Sequence, residues 1–202
     1  ACFNWIGCSA EMQARAVTLY RSNGEIARDD ASDLPPNCTF PVADGVECSL
    51  DTYVPGTNAS VFSPQGGLRI GMLDLSRIGQ ELLKGAGPSV LSERARGEMV
   101  FSMLRKPADQ DFFCVYGAHI QMIEAPGEQC DDALVGDGTP RIGHAGEAYG
   151  LRSGLWLDHD GRSFAYFITQ VPDRSAPDEG GFSPEEKALV AGVLAADSRL
   201  VD

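Results

Sequence analysis

No stretch of this chain stays apolar for the roughly 20 residues that a bilayer-spanning helix requires, and the longest candidates, such as Phe164-Ala165-Tyr166-Phe167-Ile168, have the length of a strand. No membrane span is expected. Positive charge is scarce: 16 Lys and Arg stand against 29 Asp and Glu, a formal net charge of -13, and no basic stripe alternates with aromatics. Phosphate backbones would be repelled, so nucleic acid is not an expected partner. Histidine is limited to positions 119, 144 and 159, none of them spaced with cysteines as in a zinc site, and C-x-x-C is missing. No metal and no cofactor are expected. Residues 1–30 lack the basic and apolar regions of a secretory leader, so the chain is expected to start after processing or to be a fragment.

What is present is ordinary folded protein, with 43% hydrophobic and 22% charged residues over 202 positions. Six cysteines follow one another as local pairs, Cys2 with Cys8, Cys38 with Cys48 and Cys114 with Cys130. Other connectivities are possible, but sequential pairing closes short loops rich in Gly, Pro, Asn and Asp, and it is the expected one. Disulfides point to an oxidising compartment, periplasmic or secreted.

Ser9 is a candidate N-cap for a helix over 9–20, with Met12, Ala16, Val17 and Tyr20 at helical spacing. From Ser22 to Gly67 turn-forming residues dominate, and a long loop is expected. In 67–85, Leu68, Met72, Leu75, Ile78, Leu82 and Leu83 mark one face of a helix that Gly85 stops. Ser92 caps a second helix, running to about Arg105 before Pro107. Beyond Pro107 the character changes. Residues 112–116 and 120–123 suggest one strand interrupted near Gly117, and residues 150–158 and 163–170 flank a hairpin turn at His159-Asp160-Gly161. The spacing Asp158-x-Asp160-Gly161 fits a calcium loop poorly, because the remaining ligands are missing. Ser183-Pro184-Glu185-Glu186 forms a capping box at the start of a helix reaching about Ala196. The order predicts an α+β fold: a helical and loop-rich lobe over 1–107, then an antiparallel sheet with a C-terminal covering helix over 108–202.

Two segments carry a resemblance. Phe62-Ser63-Pro64-Gln65-Gly66-Gly67-Leu68-Arg69-Ile70, running into Asp74-Leu75-Ser76-Arg77-Ile78-Gly79, is similar to a glycine-rich segment of serine β-lactamase-related hydrolases. Ile142-Gly143-His144-Ala145-Gly146-Glu147-Ala148-Tyr149-Gly150, followed by strands around Asp160-Gly161, resembles the third motif of class C β-lactamases and family VIII esterases, where Lys-Thr-Gly or His-x-Gly opens a strand beside the active serine. With the terminal helix, the resemblance covers about residues 60–196. It implies a β-lactamase/transpeptidase-like fold, expected to be incomplete here, and an acyl-enzyme mechanism on a β-lactam, a D-amino-acid peptide or a carboxylic ester.

By that resemblance, His144 binds a substrate carboxylate or relays the leaving-group proton, a task suited to an imidazole whose ordinary pKa is near 6.5. The backbone N–H of Glu147 becomes an oxyanion donor, Gly146 permits close approach, and Ala145 and Tyr149 line the substrate. Ser63, Gln65 and Arg69 face the cleft or merely form a turn, while Trp156, His119 and His159 are read as structural. The family pattern breaks at one point: no Ser is followed three residues later by Lys, and no Tyr-x-Asn triplet occurs. The nucleophile is therefore expected on the N-terminal part of the same enzyme, carried outside this chain. The rival expectation is a non-catalytic, disulfide-stabilised binding module built on the same scaffold.

Overall fold

The computed structural model describes residues 1–3, 8–27, 68–83, 91–101, 104–105, 113–126, 130–148, 150–172 and 181–197. In chain order its elements are β1 (Cys2–Phe3), α1 (Ala10–Ala14), β2 (Leu19–Tyr20), β3 (Ile26–Ala27), β4 (Leu68–Arg69), α2 (Met72–Leu83) and α3 (Glu93–Phe101). There follow β5 (Leu104–Arg105), β6 (Val115–Tyr116), β7 (Gln121–Ile123), β8 (Arg141–Ala148), β9 (Leu151–Asp158), β10 (Ser163–Ile168) and α4 (Pro184–Asp197). The fold is α+β.

The three long strands at the C-terminal end form the frame. Their alternating apolar residues and the Gly161 turn, at φ 82°, allow β9 and β10 to pair from Ser163↔Leu157 to Ile168↔Arg152. Strand β8 pairs with β9 over its whole length, from Arg141↔Asp158 to Ala148↔Leu151. The sheet continues through short strands in the order β10-β9-β8-β7-β6-β5, each neighbour antiparallel.

Successive residues of β9 point to opposite faces, and both faces are covered. Trp156 is fully buried and packs with Phe113, Ile123, Leu134, Tyr166, Phe182 and Val190, which brings α4 onto one face. The Trp156 and Phe182 rings meet edge-on at 5.8 Å. Leu155 and Leu157 face the other way, towards Gly79 of α2, where an added Cβ would come within 3.0 Å of both side chains. Glycine at that position lets the helix lie close on the sheet.

Helix α4 starts as its capping box dictates: Glu186 N–H donates to Ser183 Oγ at 3.3 Å and Ser183 N–H to Glu186 Oε2 at 2.8 Å. The Ser9 and Ser92 caps also form, through Met12 N–H at 3.2 Å and Ala95 N–H at 3.1 Å. Two disulfides link Cys2 to Cys8 and Cys114 to Cys130, with Cα–Cα separations of 5.2 and 5.9 Å. The expected Cys38–Cys48 bridge lies outside the described residues.

Four expectations about elements are corrected. The first helix ends at Ala14, not Tyr20, because Leu19 and Tyr20 pair with Ile26 and Ala27 across an Asn23-Gly24 turn whose Gly24 has φ 88°. The helix expected across 68–83 begins only at Met72, since Leu68 and Arg69 pair with Phe3 and Cys2. Its buried stripe runs through Leu75, Gly79 and Leu82, whereas Met72 and Ile78 are exposed. The helix after Ser92 stops at Phe101, and Leu104–Arg105 joins the sheet. Finally, 112–123 is not one interrupted strand but a tight hairpin: β6 and β7 run antiparallel, closed by Gly117 N–H donating to the Ile120 carbonyl at 2.7 Å.

Candidate functional site: the overhanging edge of β8

The hairpin correction shapes the site. Strand β7 pairs with β8 only from Ile123↔Arg141 to Gln121↔Gly143. At that point the chain turns away, with His119 in the left-handed region at φ 62°. Among the described residues no strand continues the ladder beside 144–148, so β8 overhangs its neighbour there. Burial follows the pairing: Arg141 and Gly143 are buried, whereas His144, Glu147 and Ala148 are exposed.

The direction of each edge amide follows from one contact. Ala145 N–H donates to Gln121 Oε1 at 2.7 Å, so it points towards the β7 side. Backbone donors along a strand alternate in direction, which puts the N–H of Glu147 on the same side, one step beyond the end of β7. Gln121 caps the last amide next to its own strand, and Glu147 supplies the next donor along the open edge. An amide so placed, with no strand partner on that side among the described residues, is oriented to donate to an acceptor laid against the edge.

The expected site residues sort as follows. His144 lies on the overhang, with Nδ1 2.5 Å from the Ala145 carbonyl oxygen and Nε2 3.3 Å from the Tyr116 hydroxyl. Glu147 directs its carboxylate to an ion pair with Arg152 across the β8–β9 ladder. Gly146 sits against Ser153, whose Oγ would be 2.3 Å from an added Cβ, so a side chain there would have to displace that hydroxyl. Ala145 packs its methyl against the Trp156 cluster and its N–H is capped, so what it offers at the edge is its carbonyl, held by His144. Tyr149, Ser63 and Gln65 lie outside the described residues, and Arg69 is half-buried in β4. Trp156 is core.

Two residues with a bearing on the site escape a reading of the sequence alone. Tyr116 and Gln121 reach His144 and Ala145 only because β6 and β7 fold back as a hairpin; both come from the 112–123 segment taken as one strand. Tyr20-Arg21-Ser22 also has a Tyr-x-Ser spacing, but no backbone hydrogen bond among the described residues places it at the β8 overhang. Its backbone is used structurally: the Tyr20 carbonyl accepts from Gly150 N–H at 3.0 Å and Tyr20 N–H donates to Thr169 at 3.1 Å.

Below the site, a loop ties β7 to β8. The Glu124 carboxylate accepts N–H donors from Val135, Gly136 and Gly138 at 3.0, 3.0 and 2.8 Å. Asp137 takes a bidentate pair from buried Arg141, at 2.9 and 2.8 Å, and this guanidinium holds the carboxyl well below the usual carboxylate range. Asp132 is buried, accepts the Glu124 N–H through Oδ1 at 3.1 Å, and is pushed above the ordinary value chiefly by desolvation. The clasp fixes the start of β8.

At the far end of the sheet, Asp158, His159 and Asp160 bring one ligand atom each within 4.8 Å of one another. Arginine already supplies positive charge there: Arg162 Nη2 is 3.6 Å from Asp160 and 3.9 Å from Asp158, and Arg141 Nη2 is 3.9 Å from Asp158. Asp158 also accepts from Asp160 N–H at 2.8 Å, as a hairpin turn requires. Among the described residues no helix is long and apolar enough to cross a membrane. Comparison of the chain with protein-family models, with curated proteins and with solved structures finds no match.

Proposed function

We propose that this chain is the C-terminal portion of a secreted or periplasmic serine hydrolase of the β-lactamase-related type, with a β-lactamase/transpeptidase-like sheet, working through an acyl-enzyme. The observation that carries the reading is the overhang of β8 at the resembling segment, with the Glu147 N–H directed to an open edge and His144 beside it. A carbonyl laid against that edge would find a backbone donor already oriented, and such a donor is worth about 10²–10³ in rate. The 202 residues hold no Ser-x-x-Lys, so the nucleophile of the reaction belongs to sequence outside them. His144 in place of a permanently charged Lys tilts the substrate towards carboxylic esters or D-amino-acid peptides and away from penicillins.

The test combines the reading frame with an assay. The 202-residue chain should not turn over nitrocefin or p-nitrophenyl esters above background. An upstream segment in the same frame should carry Ser-x-x-Lys, and the joined product should hydrolyse at least one of these acyl donors. A frame without that motif, or an inert joined product, sinks the hydrolase reading; turnover by the 202 residues alone, abolished by His144→Ala, would mean that the nucleophile has been misplaced.

A further inference from the structure

The two contacts of the His144 ring determine where its proton sits. A carbonyl oxygen carries no hydrogen, so the 2.5 Å contact between Nδ1 and the Ala145 oxygen requires the proton on Nδ1. In the neutral ring Nε2 is then a bare lone pair, and the Tyr116 hydroxyl 3.3 Å away must be the donor to it. The two rings meet edge-on, at 6.1 Å and 78°. This arrangement is a product of the β6–β7 hairpin, since 28 positions separate the two residues in the chain.

We infer that Tyr116 is a positioning residue for His144, holding it as the Nδ1–H tautomer with Nε2 as the basic nitrogen on the β6 side of the open edge. The Ala145 carbonyl and the Tyr116 hydroxyl act on opposite nitrogens, so together they fix both the tautomer and the plane of the ring. Beside His144, β7 brings Gln121 to the next amide, β9 places Leu155 opposite, and on β8 itself Glu147 is paired with Arg152 of β9. The inference deepens the hydrolase reading and takes its functional meaning from it, because a relay histidine works only with its basic nitrogen in a defined place.

Long-range ¹H–¹⁵N correlation spectra of the ¹⁵N-labelled 202-residue chain, taken at about pH 8.5 where imidazoles are neutral, test it. His144 should appear as a single Nδ1–H tautomer, against the Nε2–H form that a histidine in water favours. In Tyr116→Phe the population should move towards Nε2–H, while His119 and His159 keep their patterns. A wild-type His144 in the Nε2–H form overturns the inference whether or not the variant folds, and so does a Tyr116→Phe spectrum identical at His144 to the wild type. Hydrolysis plays no part in this readout. An inert joined product with His144 in the Nδ1–H form removes the hydrolase reading and leaves the role of Tyr116; an active product with the other tautomer does the reverse.

Discussion

Gly143 sits where β9 leaves no room for a side chain on β8. An added Cβ would lie 1.9 Å from the Leu155 carbonyl oxygen and 2.9 Å from Trp156 Cε3. Backbone cannot yield as a flexible side chain does, so Gly143→Ala should cost about 1–3 kcal/mol or more, read as a lower urea midpoint. The neighbouring Gly146→Ala should be milder, because the obstructing atom is the hydroxyl of Ser153. A second residue-scale prediction concerns Tyr166, whose buried hydroxyl donates to Glu186 Oε1 at 2.7 Å. Burial, then the adjacent Glu186 charge, pushes the phenol above its ordinary value of 10.0. The folded state keeps this proton after the unfolded state has lost it, so the linkage is neutral below the ordinary value and destabilising as pH rises beyond it. In an alkaline titration followed by tyrosinate absorbance, Tyr166 should ionise only as the protein unfolds. Tyr166→Phe leaves one Glu186 oxygen without its donor and should lower stability by about 1–3 kcal/mol at neutral pH. Neither glycine packing nor the Tyr166–Glu186 pair was legible in the sequence, where Tyr166 is one aromatic in an apolar strand and Glu186 a capping-box residue.

At the scale of elements, the overhang of β8 separates folding from function. Proline is tolerated on an edge strand where the missing N–H would face outwards. Glu147→Pro should therefore leave the circular dichroism spectrum of the chain nearly unchanged while, on the proposed function, reducing the turnover of the joined product about 10²–10³-fold. Equal loss of folding and turnover would show that the amide is used within the sheet. The clasp beneath the strand gives a pH prediction with opposing signs. Asp137 is held ionised by Arg141, so its contribution is present above the ordinary carboxylate value of 3.8 and is lost as pH falls below it. Asp132, raised by burial, works in the other direction: its protonated form is the favoured one, and stability on its account declines as pH rises through 3.8 and above. Asp137→Asn should flatten the acid limb of stability against pH, and Asp132→Asn should remove the penalty at neutral pH. The elements themselves were partly legible. Strong local signals, the Ser183 capping box, the Ser9 and Ser92 caps and the Asp160-Gly161 turn, appear where the sequence puts them. The short elements did not, since a two-residue strand such as Leu104–Arg105 has no periodicity to read and exists only because Tyr116 and Val115 lie alongside it.

For the whole molecule, two helices distant in sequence cover opposite faces of one sheet, and a disulfide fastens the segment on which β6, β7 and the clasp depend. Cys114–Cys130 spans a separation of 16 residues. In the chain-entropy picture, closing a loop of that size contributes about 3 kcal/mol, so Cys114→Ala with Cys130→Ala should lower the melting temperature clearly, and the loss should show as weakened hydrogen-exchange protection around 113–126. The bridge from Cys2 to Cys8 closes a separation of only 6 and should matter less. What the sequence by itself determined are the features written in contiguous residues: α+β order, the helix starts after Ser9, Ser92 and Ser183, the C-terminal hairpin, the pairing of Cys2 with Cys8 and of Cys114 with Cys130, and the strand around His144. Tertiary structure alone decided that β7 stops at Gln121, that the Glu147 amide faces an edge with no strand partner among the described residues, and that Tyr116 meets His144. These depend on where one strand ends relative to another, a distance set by packing and hydrogen-bond register between segments far apart in the chain, for which no local pattern of residues stands proxy.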